Sequence, residues 1–348
     1  MSSPLAVSFT GIFRGVESRL HEQSSASRAT YAIAGIAIRL EFGSKQLEEN
    51  ISPAFRHLRA PDMPEPQLTV FIREAASIFN GARLACEEEA ASGENDIWLE
   101  DSRLETVILQ RQGRFVTVVD WAQRAAYWLV PDASSISYFD RAHPLQQLLN
   151  YWLGKQRRFF VHGAAIGNAR DGVLILGRGG AGKSTTALSC LEEGMHYVAD
   201  DHCLVSEEGE EPLVHSIYGT GKVAFDELDR FPLLAAAAQT WNRPEGEKTV
   251  LFLANLAAAR LTARLRLRAI LQACIADLPR TRLRAASRGE AFRAMVGSCA
   301  LHLPQARAEA LQCFTGLVRQ LPVYVLELGR DLKSTPAVIR ELLASLPE

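Results

Sequence analysis

GVLILGRGGAGKS, residues 172–184, decides the fold class of this chain. An apolar run, Gly172 to Leu176, feeds a glycine-rich loop, Gly177 to Lys183, that closes on Ser184 with the spacing G-x-x-x-x-G-K-[ST]. The next ten residues, Ser184 to Glu193, read as a helix with Leu188 and Leu191 inward, Glu192 and Glu193 outward, and Gly194 as terminator. Strand, glycine loop and helix together make a phosphate cradle. Glycines let backbone N–H groups turn toward an anion without a side-chain clash, and the helix N-terminus adds partial positive charge. The nucleotide-binding candidates are therefore Gly177, Arg178, Gly179, Gly180, Ala181, Gly182, Lys183, Ser184 and Thr185. In this reading Lys183 reaches the β- and γ-phosphates of ATP and Ser184 ligates Mg²⁺.

Lysine usage supports the reading. Of 38 basic residues only six are lysines: Lys45, Lys155, Lys183, Lys222, Lys248 and Lys333. In a chain that defaults to arginine, a lysine marks a place where a compact, flexible point charge is needed. Lys222, in Tyr-Gly-Thr-Gly-Lys, and Lys248 are further candidates for neutralising charge on a transferred phosphoryl group. The bland alternative for both is an ordinary surface lysine.

One helix and one turn after the loop, Tyr197-Val198-Ala199-Asp200-Asp201 reads as a strand ending in two acids. In a βαβ arrangement the carboxyl ends of the strands face one crevice, so the pair stands near the phosphates. One carboxylate can organise Mg²⁺ with Ser184 while the other takes a proton from an attacking hydroxyl. Adjacent strand residues point to opposite faces, so only one aims at the γ-phosphate unless the chain turns there. His162, in FFVHGAAI, is by itself more often a satisfied structural histidine than a catalytic one.

Position brings these residues together. Lys183 follows His162 by 21 residues, and Asp200 and Asp201 follow Lys183 by 17 and 18. This V-H-G, glycine loop and V-A-D-D arrangement, over about residues 158–206, resembles the HPr kinase/phosphorylase family. The resemblance implies a phosphoenolpyruvate-carboxykinase-type P-loop fold and ATP-dependent phosphorylation of a protein serine. It also implies Asp201 as general base, with Asp200 its supporting acid and metal ligand and His162 its hydrogen-bonded partner. The chain departs from the family in carrying Thr185 where a glutamate is usual after G-K-S, and His215 to Lys222 in place of an arginine-glycine signature. Those departures weigh against a phosphorylase half-reaction and against HPr as substrate. The chain more closely resembles the HPr-kinase-like proteins of peptide-natural-product clusters, including lasso-peptide kinases.

Outward from this centre, 348 residues suit two domains. Residues 1–142 read as a strand-rich α+β domain with a substrate-binding role in view, and 143–348 as the α/β P-loop kinase domain. The first part shows alternation at Ile36, Ile38, Leu40 and Phe42, and strands at 67–72, 106–112 and 114–119 flanking a Gln112-Gly113 hairpin turn. APDMPEPQ (60–67) and EEEAASGEND (87–96) read as loops, and Trp121, Tyr127 and Trp128 as core residues on a half-buried strand face. A helix is expected from His143 to Lys155 with Leu145, Leu148, Leu149 and Trp152 on one face. Residues 322–328 read as a strand and Thr335 to Leu346 as a closing helix.

With 47% hydrophobic and 22% charged residues and a net charge of −2, the chain reads as soluble and globular, with no call for nucleic acid or a membrane surface. No apolar stretch reaches a membrane span, and the first twenty residues lack a secretory signal, so a cytoplasmic location is expected. Six cysteines without C-x-x-C pairing read as free, mostly buried thiols. Nine arginines between 260 and 293, with Arg264, Arg266 and Arg268 alternating, form a row able to receive an acidic peptide or phosphate, or a solvated face balanced by the acidic 87–105 region. The favoured reading is a Mg²⁺·ATP-dependent kinase of a serine on a peptide or small protein, with a homo-oligomer compatible. The alternatives are a nucleotide-gated binding protein without transfer, a small-metabolite kinase, and a true HPr serine kinase.

Overall fold

A computed structural model describes residues 24–63, 65–76, 97–101, 106–111, 115–209, 211–239, 245–299 and 307–347. The readings on the first twenty residues, the 87–96 loop, the Gln112-Gly113 turn and Cys86 lie outside them. The chain divides into two compact units, 1–52 with 59–148, and 53–58 with 149–348. A single boundary at residue 143 was expected, but Pro53–Leu58 clusters with the later part of the chain. The Gly219 N–H donates to the Ala54 carbonyl at 2.7 Å, Phe55 lies 5.5 Å from the Tyr218 ring, and His57 Nε2 is 2.7 Å from Ser216 Oγ.

The first unit holds β1 (Ser27–Ile33), β2 (Ile36–Phe42), α1 (Lys45–Phe55, its last residues in the second unit), β3 (Leu68–Glu74), β4 (Ile97–Asp101), β5 (Thr106–Arg111), β6 (Phe115–Asp120), β7 (Ala125–Val130) and the short α2 (Tyr138–Ala142). Its sheet runs β1-β2-β3-β7-β6-β5-β4, with β3 parallel to β2 and β7. The alternation at Ile36 to Phe42 buries all four named side chains. Tyr127 and Trp128 are core, as expected, and fully buried because β7 is central, between β3 and β6. Trp121 instead sits partly buried in the turn after β6. The helix expected from His143 to Lys155 starts three residues late, as α3 (Gln146–Lys155), after the separate short α2 has ended at Ala142. Pro144 disfavours helical backbone at His143, and Leu145 takes φ +61°, so α3 starts only afterwards.

The second unit contains β8 (Phe159–Val161), β9 (Ala164–Gly167), β10 (Asp171–Leu176), α4 (Lys183–Glu192), β11 (His196–Ala199), β12 (Cys203–Glu208), β13 (Glu211–His215), β14 (Thr220–Val223), β15 (Ala238–Gln239), β16 (Thr249–Phe252), β17 (Arg264–Ile275), β18 (Arg282–Ala285), α5 (Arg288–Cys299), α6 (Arg307–Gln320), β19 (Val323–Leu328) and α7 (Ser334–Ser345). Its main sheet is ordered β11-β9-β10-β17-β13-β12-β8, with β19 beside the later half of β17 and β18 outside β19. A small sheet, β14-β16-β15, stands apart. Successive residues of β10 feed two cores. Leu174 and Leu176 pack with Met295 of α5 and Phe314 of α6, while Val173 and Ile175 pack with Leu188 of α4 and Ile339 of α7. Each such buried side chain stabilises the fold by roughly 2 kcal/mol.

The fold is thus a mixed α/β arrangement of several sheets, not an unbroken alternation of strand and helix. Among the described cysteines, Cys190, Cys203 and Cys313 are free and buried and Cys274 is free and half-buried. Among the described residues no helix is long and apolar enough to cross a membrane.

Candidate active site

The site lies at a seam in the main sheet. FFVHGAAI, expected as one strand, is broken at His162-Gly163 into β8 and β9, and YVADDHCLV is broken at Asp200-Asp201-His202 into β11 and β12. β8 pairs with β12 and β9 with β11, yet the two pairs stand at opposite ends of the strand order. Five strand spacings would separate β9 from β8 by about 24 Å in an open sheet. The two linking residues reach at most about 11 Å. The sheet therefore folds back on itself, and both crossovers sit where its ends meet. Gly163 permits the break, since a Cβ there would stand 2.9 Å from the Ile175 carbonyl oxygen.

The same edge receives the glycine loop. β9 runs antiparallel to β10 on one side and β11 on the other, so its start lies beside both of their ends. His162 precedes β9, Gly177 follows β10, and Asp200 follows β11. In the loop Gly177, Gly180 and Gly182 adopt φ values of +154°, +77° and +92°, conformations L side chains rarely enter. Lys183 is 6% exposed and its Nζ donates to the carbonyls of Gly177 at 2.8 Å and Arg178 at 3.2 Å. Burial holds its ammonium below the ordinary lysine range, against the pull of Asp200 and Asp201, and Lys248 adds to the depression. Arg178, Gly179 and Gly180 are exposed, Ala181, Gly182, Ser184 and Thr185 half-buried. The loop thus offers an open rim over a buried lysine.

The acid pair does not continue the strand. Asp201 takes φ +76°, so the chain turns there and the pair is released from the opposite-face alternation of an extended strand. Asp200 is 3% exposed, and Asp201 faces His162, whose Nε2 lies 3.0 Å from its Oδ1. Lys222 on β14 serves both acids. Its Nζ is 2.9 Å from Asp201 Oδ2, and its backbone N–H donates to Asp200 Oδ2 at 3.1 Å. Tyr197 pins β14 in place through a 2.6 Å hydrogen bond to the Thr220 carbonyl. Burial and the charge of Asp201 push the Asp200 carboxyl up, while a hydrogen bond from Ser184 and the Lys222 N–H and charge pull it down.

Asp200 Oδ1 is buried without a hydrogen-bond partner among the described residues. A buried carboxylate oxygen left open beside a serine hydroxyl is a hard, oxygen-only donor set, and it fits Mg²⁺. His202 was not singled out in the sequence. It is 7% exposed, stacks on His162 at 5.8 Å with an interplanar angle of 19°, and places Nδ1 3.7 Å from Asp201 Oδ2. Its place directly after the acid pair was the available signal.

Two candidates stand apart. Lys248 is exposed, its charge reaching Lys183 without a contact to the acids. The arginine row lies on β17, where Arg266 Nε is 2.7 Å from Asp171 Oδ1 and Arg268 is 3.4 Å from Asp171 Oδ2, with Glu211 3.7 Å from Arg266. Asp171 opposes Arg266 in register on β10 and pairs with Arg266 and Arg268 from within the sheet, while the side chains of the acidic 87–105 region lie outside the described residues.

A strand, a left-handed glycine loop and a helix N-terminus around a buried lysine make this a P-loop site with an acid pair at its side. No family model matches the chain. A stretch of 71 residues is 42% identical to HPr kinase/phosphorylase of Bacillus cytotoxicus, and equally to that of Bacillus mycoides, covering 20% of this chain and 23% of each relative. The matched stretch is thus about a quarter of those relatives, and within it the chain is HPr kinase/phosphorylase-like. A solved structure titled Hpr(Ser) kinase/phosphatase from Coxiella burnetii overlays at a TM-score of 0.31 and 11% identity, over 53% of this chain and 96% of that one. At that TM-score the overlay does not bear on the fold.

Proposed function

We propose that the protein phosphorylates a serine hydroxyl of a peptide or small protein with Mg²⁺·ATP. The carrying observation is Asp201. It stands beside a phosphate loop with one oxygen on His162 Nε2 at 3.0 Å and the other on Lys222 Nζ at 2.9 Å. A protein that only sensed nucleotide would not need a carboxylate fixed there. In the transfer, the serine Oγ–H proton passes to Asp201 as the Oγ–P bond forms, and the bond from the γ-phosphorus to its bridging oxygen breaks to release ADP. Lys183 and the loop N–H groups stabilise charge on the phosphoryl oxygens. Ser184 and Asp200 would hold Mg²⁺, which would neutralise charge on the phosphates. His162 and Lys222 orient Asp201.

Support for a serine acceptor is the partial likeness to HPr kinase/phosphorylase. A ribosomal natural-product precursor peptide is the acceptor class we favour, with HPr the other. Mass spectrometry of candidate peptides and HPr after incubation with Mg²⁺·ATP tests this, with Lys183→Ala and Asp201→Asn as controls. One added phosphate on serine, seen only with the unaltered protein, is expected. Tight ATP binding with no phosphate on any acceptor would overturn it in favour of a nucleotide-gated binding protein.

A further inference from the structure

Three parallel strands end at the edge that carries the phosphate loop: β10, β17 and β19. Ligands of such sheets bind outside the carboxyl ends of the strands. β17 and β19 end in Ile275 and Leu328, cross-strand partners in register. A Cβ on Gly182, the residue that opens α4, would overlap Leu328 Cδ1 and lie 3.9 Å from Ile275 Cγ1, so both side chains border the loop. Ile275 is 72% exposed, more than any other large apolar side chain among the described residues, and Leu328 is half-buried.

The framework under them is fixed. The Ala276 N–H donates to the Leu328 carbonyl, the Leu278 N–H to that of Ala276 and the Arg330 N–H to that of Leu278, each at 2.9 Å, and the Asp331 N–H to that of Pro279 at 3.1 Å. Arg330 and Asp277 form an exposed ion pair on the same two loops. A single exposed isoleucine is ordinary in itself, but one that borders the phosphate loop offers a surface that the face of a planar ligand laid on it would remove from water.

We infer that Ile275 and Leu328 form the platform for the purine base of the nucleotide whose phosphates occupy the loop. This rests on the P-loop reading above. The phosphates and the base are then held by different chemistry: N–H groups and a lysine at one end, apolar contact at the other. Isothermal titration of the full-length protein with Mg²⁺·ATP and with Mg²⁺·tripolyphosphate separates the two. Ile275→Ser should weaken ATP about tenfold, the loss expected on removing most of an isoleucine's apolar contact, and leave tripolyphosphate unchanged. Ile275→Phe should keep ATP binding near that of the unaltered protein. Equal losses for both ligands, or no loss for either, would overturn the platform and leave the phosphate loop standing. If the unaltered protein binds neither ligand, the P-loop reading fails and the platform with it.

Discussion

His162 Nε2 stands 3.0 Å from Asp201 Oδ1, across a gap between two separate strand crossovers. Lys222 holds the opposite oxygen, so the carboxylate is fixed from both sides. If this is the base, Asp201→Asn should cut the phosphorylation rate by roughly 10²–10⁴ while ATP affinity stays within a few-fold. His162→Ala should lower kcat by about tenfold with little change in the KM for ATP, since it removes orientation and not the base. Steady-state kinetics with titration calorimetry read both, and a parallel fall in ATP affinity would count against the assignment.

Asp200 should report the metal. Its carboxyl is raised by burial, so its ionised form opposes folding: that contribution is absent below the ordinary carboxylate range and grows as pH rises through the raised value. Mg²⁺ favours the ionised form. At neutral pH, Mg²⁺ with ADP should therefore raise the Tm of the unaltered protein, and Asp200→Asn should lose that rise without losing stability in metal-free buffer. Thermal melts with and without Mg²⁺ decide it; an equal rise in the variant would remove Asp200 from the metal site.

Gly182→Ala tests whether the loop needs its shape. The residue combines φ +92° with contact against Leu328, so a methyl group meets both backbone strain and a packed side chain. A loss of about 1–3 kcal/mol in stability is expected, with nucleotide binding lost in the protein that still folds. Urea denaturation alongside ATP titration measures the two effects, and an unchanged midpoint would contradict the geometry.

Acid sensitivity should come partly from His215. It is 1% exposed, lies 2.8 Å from Ser206 Oγ through Nε2, and is pushed down from 6.5 to about 4 by burial, with Arg158 and Arg264 adding to the effect. Between those values the unfolded chain binds the proton and the folded one does not, so stability is lost as pH falls from 6.5 toward 4. The contribution reaches at most about 3 kcal/mol. His57, also held down to about 4 by burial, adds to the slope. His215→Gln should flatten the dependence of Tm on pH across this window; an unchanged slope would show that other groups set it.

The glycine loop, its lysine and the helix behind it were readable in the sequence because each is local. Positive φ selects glycine, a strand–helix turn needs a fixed spacing, and an N-terminal helix turn follows directly. The alternating burial of β2 and the closing helix were readable for the same reason. The two breaks were not. FFVHGAAI has the apolar content of one strand, and only the return of the sheet on itself, with Gly163 against β10, divides it at His162. The paired acids were visible as a pair, but their different surroundings follow from Asp201 entering the left-handed region while Asp200 stays buried. Lys222 lies 21 residues beyond Asp201 and touches it only because β14 is pinned by Tyr197. Local backbone preference wrote the phosphate loop into the sequence, whereas the surroundings of Asp201 depend on contacts between residues distant along the chain, which no spacing rule encodes.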